Sequence, residues 1–264
     1  MEQRQISGTQ EWAHQNENLI KGCGHDCKYC YAKAIAIQNG KNAAGNWKNE
    51  TVNVNKLSKG FRKRDGKIMF PSSHDITPQH ITECIYFLGN ILKPGNEVLV
   101  VSKPHLECIR AICDQLTHYK DKILFRFTIG SADSQVLTFW EPGAPDFGER
   151  LAALVYAYSQ GFQTSVSCEP MLDENIDKVI HKVSPFVTDS IWLGKMNKPG
   201  NRLAINGAND PITISRAKQL MAMHSDAWIR ELYMRYKDHP QIKWKESIKK
   251  VVGLEIPLEK GLDV

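Results

Sequence analysis

Six short runs of β-branched and apolar residues, at 17–21, 67–70, 97–101, 123–129, 163–168 and 189–194, alternate with stretches of helical spacing. The clearest of these stretches opens at Thr77-Pro78, an N-cap and first-turn pair, and carries Ile81, Cys84, Ile85 and Leu88 at i, i+3, i+4 and i+7. The spacing recurs in Ile109, Ile112, Cys113 and Leu116, in Leu151, Leu154, Val155 and Tyr158, and in Ile176, Val179, Ile180 and Val183. Strands joined by helices, without hairpin signals, run parallel with right-handed crossovers, so the chain is expected to form an open doubly wound sheet or a full or partial barrel. A further helical segment is expected from about 209 to 264, including 226–250, packed over one edge or the bottom of the sheet. With 264 residues, 42% hydrophobic content and no repeat or Pro/Ser-rich linker, a single domain over 1–264 is expected.

In either architecture the chemistry belongs at the C-terminal ends of the strands. This rule nominates the loops 23–30, 71–77, 102–103, 130–134, 169–170 and 195–197. The first of them, within Gly22-Cys23-Gly24-His25-Asp26-Cys27-Lys28-Tyr29-Cys30-Tyr31, is the most informative. Thiolates at C-x3-C-x2-C spacing can hold three irons of a cubane cluster and leave the fourth without a protein ligand. A closed zinc site needs four donors, so His25 or His14 would have to complete a Cys3His set, and neither has obvious spacing for it. The metal ligands are therefore expected to be Cys23, Cys27 and Cys30 of a [4Fe–4S] cluster.

The cysteine loop, placed after a first strand and followed by an aromatic residue, resembles the signature of the radical S-adenosylmethionine enzymes. Within that superfamily the chain is most similar to the spore photoproduct lyase group. Tyr29 and Tyr31 flank Cys30 as in its Cys-x-Tyr-Cys-Tyr pattern, and Ser72-Ser73-His74-Asp75-Ile76 is similar to its Ser-Cys-Thr-Ser-Asp-Ile segment. Val101-Ser102-Lys103 resembles its Thr-Lys strand end, and Phe127-Thr128-Ile129 its Phe-Ser-Ile. Glu141-Pro142-Gly143-Ala144-Pro145, followed by Glu149-Arg150 and Gly161-Phe162, resembles its Glu-Pro-Gly-x-x-Pro, Glu-Arg and Gly-Tyr series. The resemblance covers roughly 16–170 and thins afterwards.

It implies an α/β fold, a partial (β/α)6 TIM-type barrel whose lateral opening is covered by substrate or by the C-terminal segment. It also implies that the open iron chelates S-adenosylmethionine, whose reductive cleavage gives methionine and a 5′-deoxyadenosyl radical that abstracts hydrogen from substrate. Tyr29 would lie against the adenine, and Ser72, Ser73, Ser102, Lys103 and Thr128 would contact the methionine and ribose parts. Reduction would require an external electron donor of the flavodoxin or ferredoxin type. The substrate is unassigned, with nucleic acid slightly ahead.

One departure bears on the reaction. Ser72 stands where the lyase group has a cysteine that returns hydrogen to the product radical, and a serine O–H is too strong a bond for that task. Cys168, at the end of the fifth strand, is the thiol expected to face the reactive centre. Cys84, Cys108 and Cys113 are expected in the core, and Glu141 with Arg150 is expected to form a structural ion pair. The segment 41–67 carries eight basic residues against Glu50 and Asp65, a charge of +6 where the whole chain has +5. It reads as a solvated insertion or, in a second view, as a phosphate-binding stretch. The other function classes are a non-catalytic iron–sulfur module and a zinc-stabilised nucleic-acid-binding protein. With no secretory signal or apolar span and an odd seven cysteines, a cytoplasmic monomer without a membrane anchor is expected.

Overall fold

The computed structural model describes residues 6–263. Its strands are β1 (Gln15–Asn16), β2 (Ile20–Lys21), β3 (Thr51–Val52), β4 (Lys67–Phe70), β5 (Glu97–Ser102), β6 (Ile123–Thr128), β7 (Gln163–Cys168), β8 (Ile191–Leu193) and β9 (Ile242–Trp244). The helices are α1 (Tyr31–Gln38), α2 (Val54–Leu57), α3 (Ile81–Leu92), α4 (Leu106–Gln115), α5 (Ser134–Trp140), α6 (Phe147–Ser159), α7 (Ile176–Val183), α8 (Pro199–Ile205), α9 (Pro211–Met223), α10 (Asp226–Tyr236) and α11 (Glu246–Val252). Seven strands pair in the order β1-β4-β5-β6-β7-β8-β9, every neighbour parallel. The sheet curves as a partial barrel and is not closed, because β1 and β9 do not pair.

Two expectations are corrected at the edges of the sheet. The strand expected at 17–21 is displaced: β1 ends at Asn16, and of the expected span only Ile20–Lys21 is strand. Glu17 still donates its N–H to the Met69 carbonyl, but the Leu19 and Ile20 amides turn to His74 Nε2 at 3.1 and 3.2 Å. The chain thereby leaves β4, and β2 pairs antiparallel with β3 instead. The segment 226–250 is likewise not one helix. Pro240 lacks an N–H and disfavours helix at His239, so α10 stops at Tyr236 and β9 adds a seventh strand beside β8.

Strand alternation divides the sheet into two faces. Phe70, Val98, Val100, Phe125, Phe127, Val166 and Ile191 pack outward in one apolar cluster with Cys84, Leu88, Ile109, Ile112, Leu154, Val179 and Ile180 of the helices. Cys108 and Cys113 lie in the same cluster, as expected. On the inner face Met69, Leu99, Leu124 and Trp192 meet Trp12 and Ala13 of the N-terminal segment, with the Trp12 and Trp192 rings 5.8 Å apart. Beside them is Arg126, which has no solvent exposure. Its guanidinium bonds Asp263 at 3.0 and 3.1 Å and Asp189 at 3.1 Å, and its Nε donates to Ser165 Oγ at 2.8 Å. Trp12, Ala13 and Asp263 thus fill the interior beside Arg126. Among the described residues no helix is long and apolar enough to cross a membrane.

Truncating Arg126 would strip the buried Asp263 carboxylate of its closest counter-charge and leave it the Lys67 ammonium at 3.4 Å. We expect Arg126→Ala to lose about 3–5 kcal/mol in urea unfolding, the range for breaking a buried ion pair. A loss below about 1 kcal/mol, the median for an exposed pair, would show that the plug is dispensable.

Candidate cofactor site at the mouth of the sheet

A cavity of about 450 Å³ opens at the C-terminal ends of the strands. Cys23, Cys27, Tyr29 and Cys30 line it from the cysteine loop, with Ser72 and Ser73 after β4, Lys103 after β5 and Thr128 ending β6. The loop is irregular, and distant segments hold it by its backbone. Gly22 adopts φ +86°, and a Cβ there would lie 2.5 Å from the Asn49 carbonyl oxygen. Cys23 N–H donates to Trp47 O at 2.8 Å, and Gly24 N–H donates to Glu50 Oε1 at 2.7 Å. The other Glu50 oxygen accepts from Thr77 Oγ1 at 2.6 Å. On another side Lys28 N–H reaches Trp140 O at 2.9 Å and Gly143 N–H reaches His25 O at 3.0 Å. A Cβ on Gly143 would stand 2.2 Å from Gly24 O, which is why a glycine occupies this turn. Asn206 Nδ2 closes the set, donating to Lys28 O and Cys30 O, each at 2.9 Å.

The seven cysteines are all free. Burial pushes the Cys23 thiol far above its ordinary range, and it raises Cys27 and Cys30 as well. Two buried thiols and a half-buried one facing one cavity favour the protonated form unless a cation compensates the charge of their thiolates, and a metal cluster would supply that compensation. The donor set therefore fits an iron–sulfur cluster. A Cys3His zinc set fits poorly. His25 Nδ1 bonds Asp75 Oδ2 at 2.9 Å and its Nε2 bonds His105 Nε2 at 2.9 Å, so both ring nitrogens are engaged. The backbone N–H of His14 bonds Lys67 O, at the opposite end of β4.

Asp75 is the electrostatic centre of the site. It accepts from Ser102 Oγ at 2.9 Å, from Lys103 N–H at 2.7 Å and from Lys103 Nζ at 3.4 Å. Burial alone would raise its carboxyl. The Lys103 ammonium and His25 outweigh burial and hold it well below the usual carboxylate range. Cys23 Sγ lies 3.8 Å from the same carboxylate. A second buried centre is the Glu141–Arg150 pair, at 2.5 Å with neither side chain exposed. Tyr29 donates its hydroxyl to Glu141, and Arg150 also donates to Thr128 O at 3.1 Å. The ion pair expected as structural thus ties the end of β6 to the tyrosine between two cysteines.

Of the expected contact residues, Tyr29, Ser72, Ser73, Lys103 and Thr128 line the cavity. Ser102 does not, since its hydroxyl is turned to Asp75 and to the Ile76 N–H at 3.1 Å. Cys168 is corrected. Alternation along β7 puts Ser167 on the cavity side and Cys168, without solvent exposure, in the apolar layer against the helices. Asp75, Asn18 and Arg202 were missed as site residues. Asp75 lies within the serine-rich segment 72–76, whereas Asn18, whose Oδ1 accepts from Ser72 N–H at 2.7 Å and Ser73 N–H at 2.8 Å, carries no signal of its own in the sequence. The basic insertion spends much of its charge internally. Lys56, Lys59 and Arg64 converge on Glu17 at 3.7, 3.9 and 3.0 Å.

No family model matches the chain. It is 24% identical over 204 residues to the uncharacterized protein ORF301 of Acidianus two-tailed virus, covering 69% of this chain and 67% of that one. Among solved structures it is similar to spore photoproduct lyase complexed with dinucleoside spore photoproduct (TM-score 0.57, 17% identity, 92% of this chain and 79% of that one). A lyase variant with bound AdoMet and dinucleoside spore photoproduct gives a TM-score of 0.53 at 16% identity, over 92% and 79% of the two chains. Streptococcus suis SuiB bound to S-adenosylmethionine gives 0.50 at 8% identity, and this chain spans 54% of its length while 94% of this chain is covered. At such identities what is shared is the fold, a partial barrel of the kind these two proteins have.

Two measurements follow. His74 Nε2 accepts two backbone N–H bonds, so the ring is neutral and its Nδ1–H donates to Asp75 O at 2.9 Å. Burial lowers its pKa to about 4, whereas the unfolded imidazole titrates near about 6.5. Between those values the unfolded chain takes up a proton that the folded chain refuses. Stability should therefore fall by up to about 3 kcal/mol as pH drops from about 6.5 to about 4. Urea unfolding across that window should show the slope in wild type and lose it in His74→Gln; the same slope in both would refute the assignment. Cys168→Ala should lose about 1 kcal/mol of stability as a core substitution and leave any S-adenosylmethionine cleavage unchanged. Altered cleavage would return Cys168 to the reactive centre.

Proposed function

We propose that this chain is a radical S-adenosylmethionine enzyme in which Cys23, Cys27 and Cys30 hold a [4Fe–4S] cluster beside a cavity that admits S-adenosylmethionine and a substrate. The observation that carries this reading is that the three thiols of the C-x3-C-x2-C loop line one cavity at the C-terminal mouth of the sheet. The shared fold with a lyase and with SuiB, each captured with the same sulfonium cofactor, supports it. When bound, the cluster supplies one electron to the sulfonium, and cleavage starts hydrogen abstraction from the substrate.

The chain's own residues bind, orient and shield. Glu50, Trp47, Gly143 and Asn206 fix the loop backbone, so the thiols are arranged before the metal arrives. Asp75 fixes Lys103, whose ammonium is a cavity cation suited to the methionine carboxylate. The Tyr29 ring is held by its bond to Glu141 and can serve as the wall for the adenine. Ser72, tied by Asn18, cannot return hydrogen to a carbon radical, and Cys168 faces the core. The reaction we propose therefore ends on a hydrogen source other than the Ser72 hydroxyl or the Cys168 thiol. Thymine-dimer cleavage ending on a cysteine is accordingly not the chemistry assigned. The electron must come from an external low-potential carrier of the flavodoxin or ferredoxin type, since the C-x3-C-x2-C loop is the only clustered set of cysteines in the sequence.

Anaerobically reconstituted protein should contain four irons and four sulfides per chain, the content of a cubane cluster held by three cysteines, and form 5′-deoxyadenosine with dithionite. Cys30→Ala should lose the cluster absorbance and all cleavage, as should Cys23→Ala and Cys27→Ala. A full iron complement in Cys30→Ala, or zinc in place of iron in the wild type, would overturn the reading.

A further inference from the structure

The charged side chains that line the cavity can be matched one against another. Asp75 is answered by Lys103 at 3.4 Å, Glu169 by Lys245 at 3.2 Å, and Lys195 by Asp226 at 3.3 Å. Arg202 is left over. Its side chain lines the same cavity, and among the described residues it makes no hydrogen bond or ion pair. It faces the Tyr31 ring, whose centroid is 5.9 Å from Cζ and whose residue is 37% exposed.

The sequence places Arg202 there through its helix. Asn206, four residues on and so on the same face of α8, clamps the carbonyls of Lys28 and Cys30 at 2.9 Å each. The clamp that joins α8 to the cysteine loop carries the guanidinium over Tyr31, next to Cys30. A guanidinium stays charged and offers five donors in a planar fork, and a half-buried one without an acceptor is unfavourable. Burial accordingly lowers its pKa, with Glu169 opposing only in part. The cofactor set does not supply the missing charge. An oxidised three-thiolate cubane cluster and S-adenosylmethionine would carry opposite net charges of equal size, and Lys103 lines the cavity for the methionine carboxylate.

We propose that Arg202 is the subsite for an oxyanion of the substrate, a phosphate or a carboxylate, gripped by the guanidinium fork beside the Tyr31 ring. This rests on the reading of the cavity as a radical S-adenosylmethionine site and names the class of substrate that site takes: one that carries an oxyanion close to the carbon that loses hydrogen.

Calorimetric titration of the protein, reconstituted and cluster-free, with inorganic phosphate and with acetate tests it. Wild type should bind at least one of the two anions, and which one distinguishes a phosphate from a carboxylate substrate. Arg202→Gln should weaken that binding by about tenfold or more, the loss of one charge-assisted contact. Arg202→Lys, keeping charge but not the fork, should fall between. The affinity of the reconstituted Arg202→Gln protein for S-adenosylhomocysteine, which has the cofactor's carboxylate, should match wild type. An unchanged urea midpoint confirms that both variants fold. Absence of anion binding in wild type, equal affinity in Arg202→Gln, or loss of S-adenosylhomocysteine binding in that variant would each overturn the proposal. Because the anion titration also runs without the cluster, its failure is distinct from failure of the radical reading, which is judged by iron content and 5′-deoxyadenosine.

Discussion

Residues 22–30 form no helix or strand, and beyond the two turns Asp26 N–H to Cys23 O and Cys30 N–H to Cys27 O their backbone groups need partners from outside the loop. Every part of the site depends on how this is met. Trp47 and Glu50 supply acceptors from the insertion, Trp140 from the end of α5, and Asn206 supplies donors from the end of α8. Glycines allow the close approach where backbone meets backbone, at Gly22 against Asn49 and at Gly143 against Gly24. The insertion 41–67 is thereby part of the site's scaffold. Its backbone and Glu50 hold the loop, while several of its lysines and arginines are absorbed by Glu17.

Two buried electrostatic centres stand on either side of this loop. Asp75 draws together the loop through His25 and the end of β5 through Ser102 and Lys103. Glu141 and Arg150 draw together Tyr29, the 141–146 turn and the end of β6. In each case a charge taken from water is repaired by an opposite charge together with further hydrogen bonds, the condition under which a buried pair is tolerated. The same rule applied to the cavity wall isolates Arg202, which has neither.

The lower interior obeys a different logic. An open parallel sheet leaves its inner face bare unless another layer fills it. Here the N-terminal segment brings Trp12 onto Trp192, and the C-terminal segment brings Asp263 onto Arg126. Lys245 bridges Glu11 and Glu169 at 2.8 and 3.2 Å, above the Trp12 ring. Closing the bottom with chain ends leaves the top open, and the cavity lies at the top.

The sequence alone made legible the parallel α/β class and the strand positions 67–70, 97–101, 123–129 and 163–168, and it nominated the cysteine loop as a candidate metal site. Hydrophobic period and ligand spacing are local properties of the chain and survive without knowledge of its path. It also determined that Glu141 and Arg150 pair. It misjudged Cys168, because whether a strand-end residue faces the cavity or the helices turns on a one-residue register that composition does not fix. The displaced first strand and β9 were likewise invisible, being decided by His74 capturing two amides across the loop and by β8 offering a free edge to residues after Pro240. Only the tertiary structure gave Glu50 and Asn206 their roles and left Arg202 unpaired. Whether a polar group is satisfied depends on residues tens to hundreds of positions away, and that distance is set by the fold.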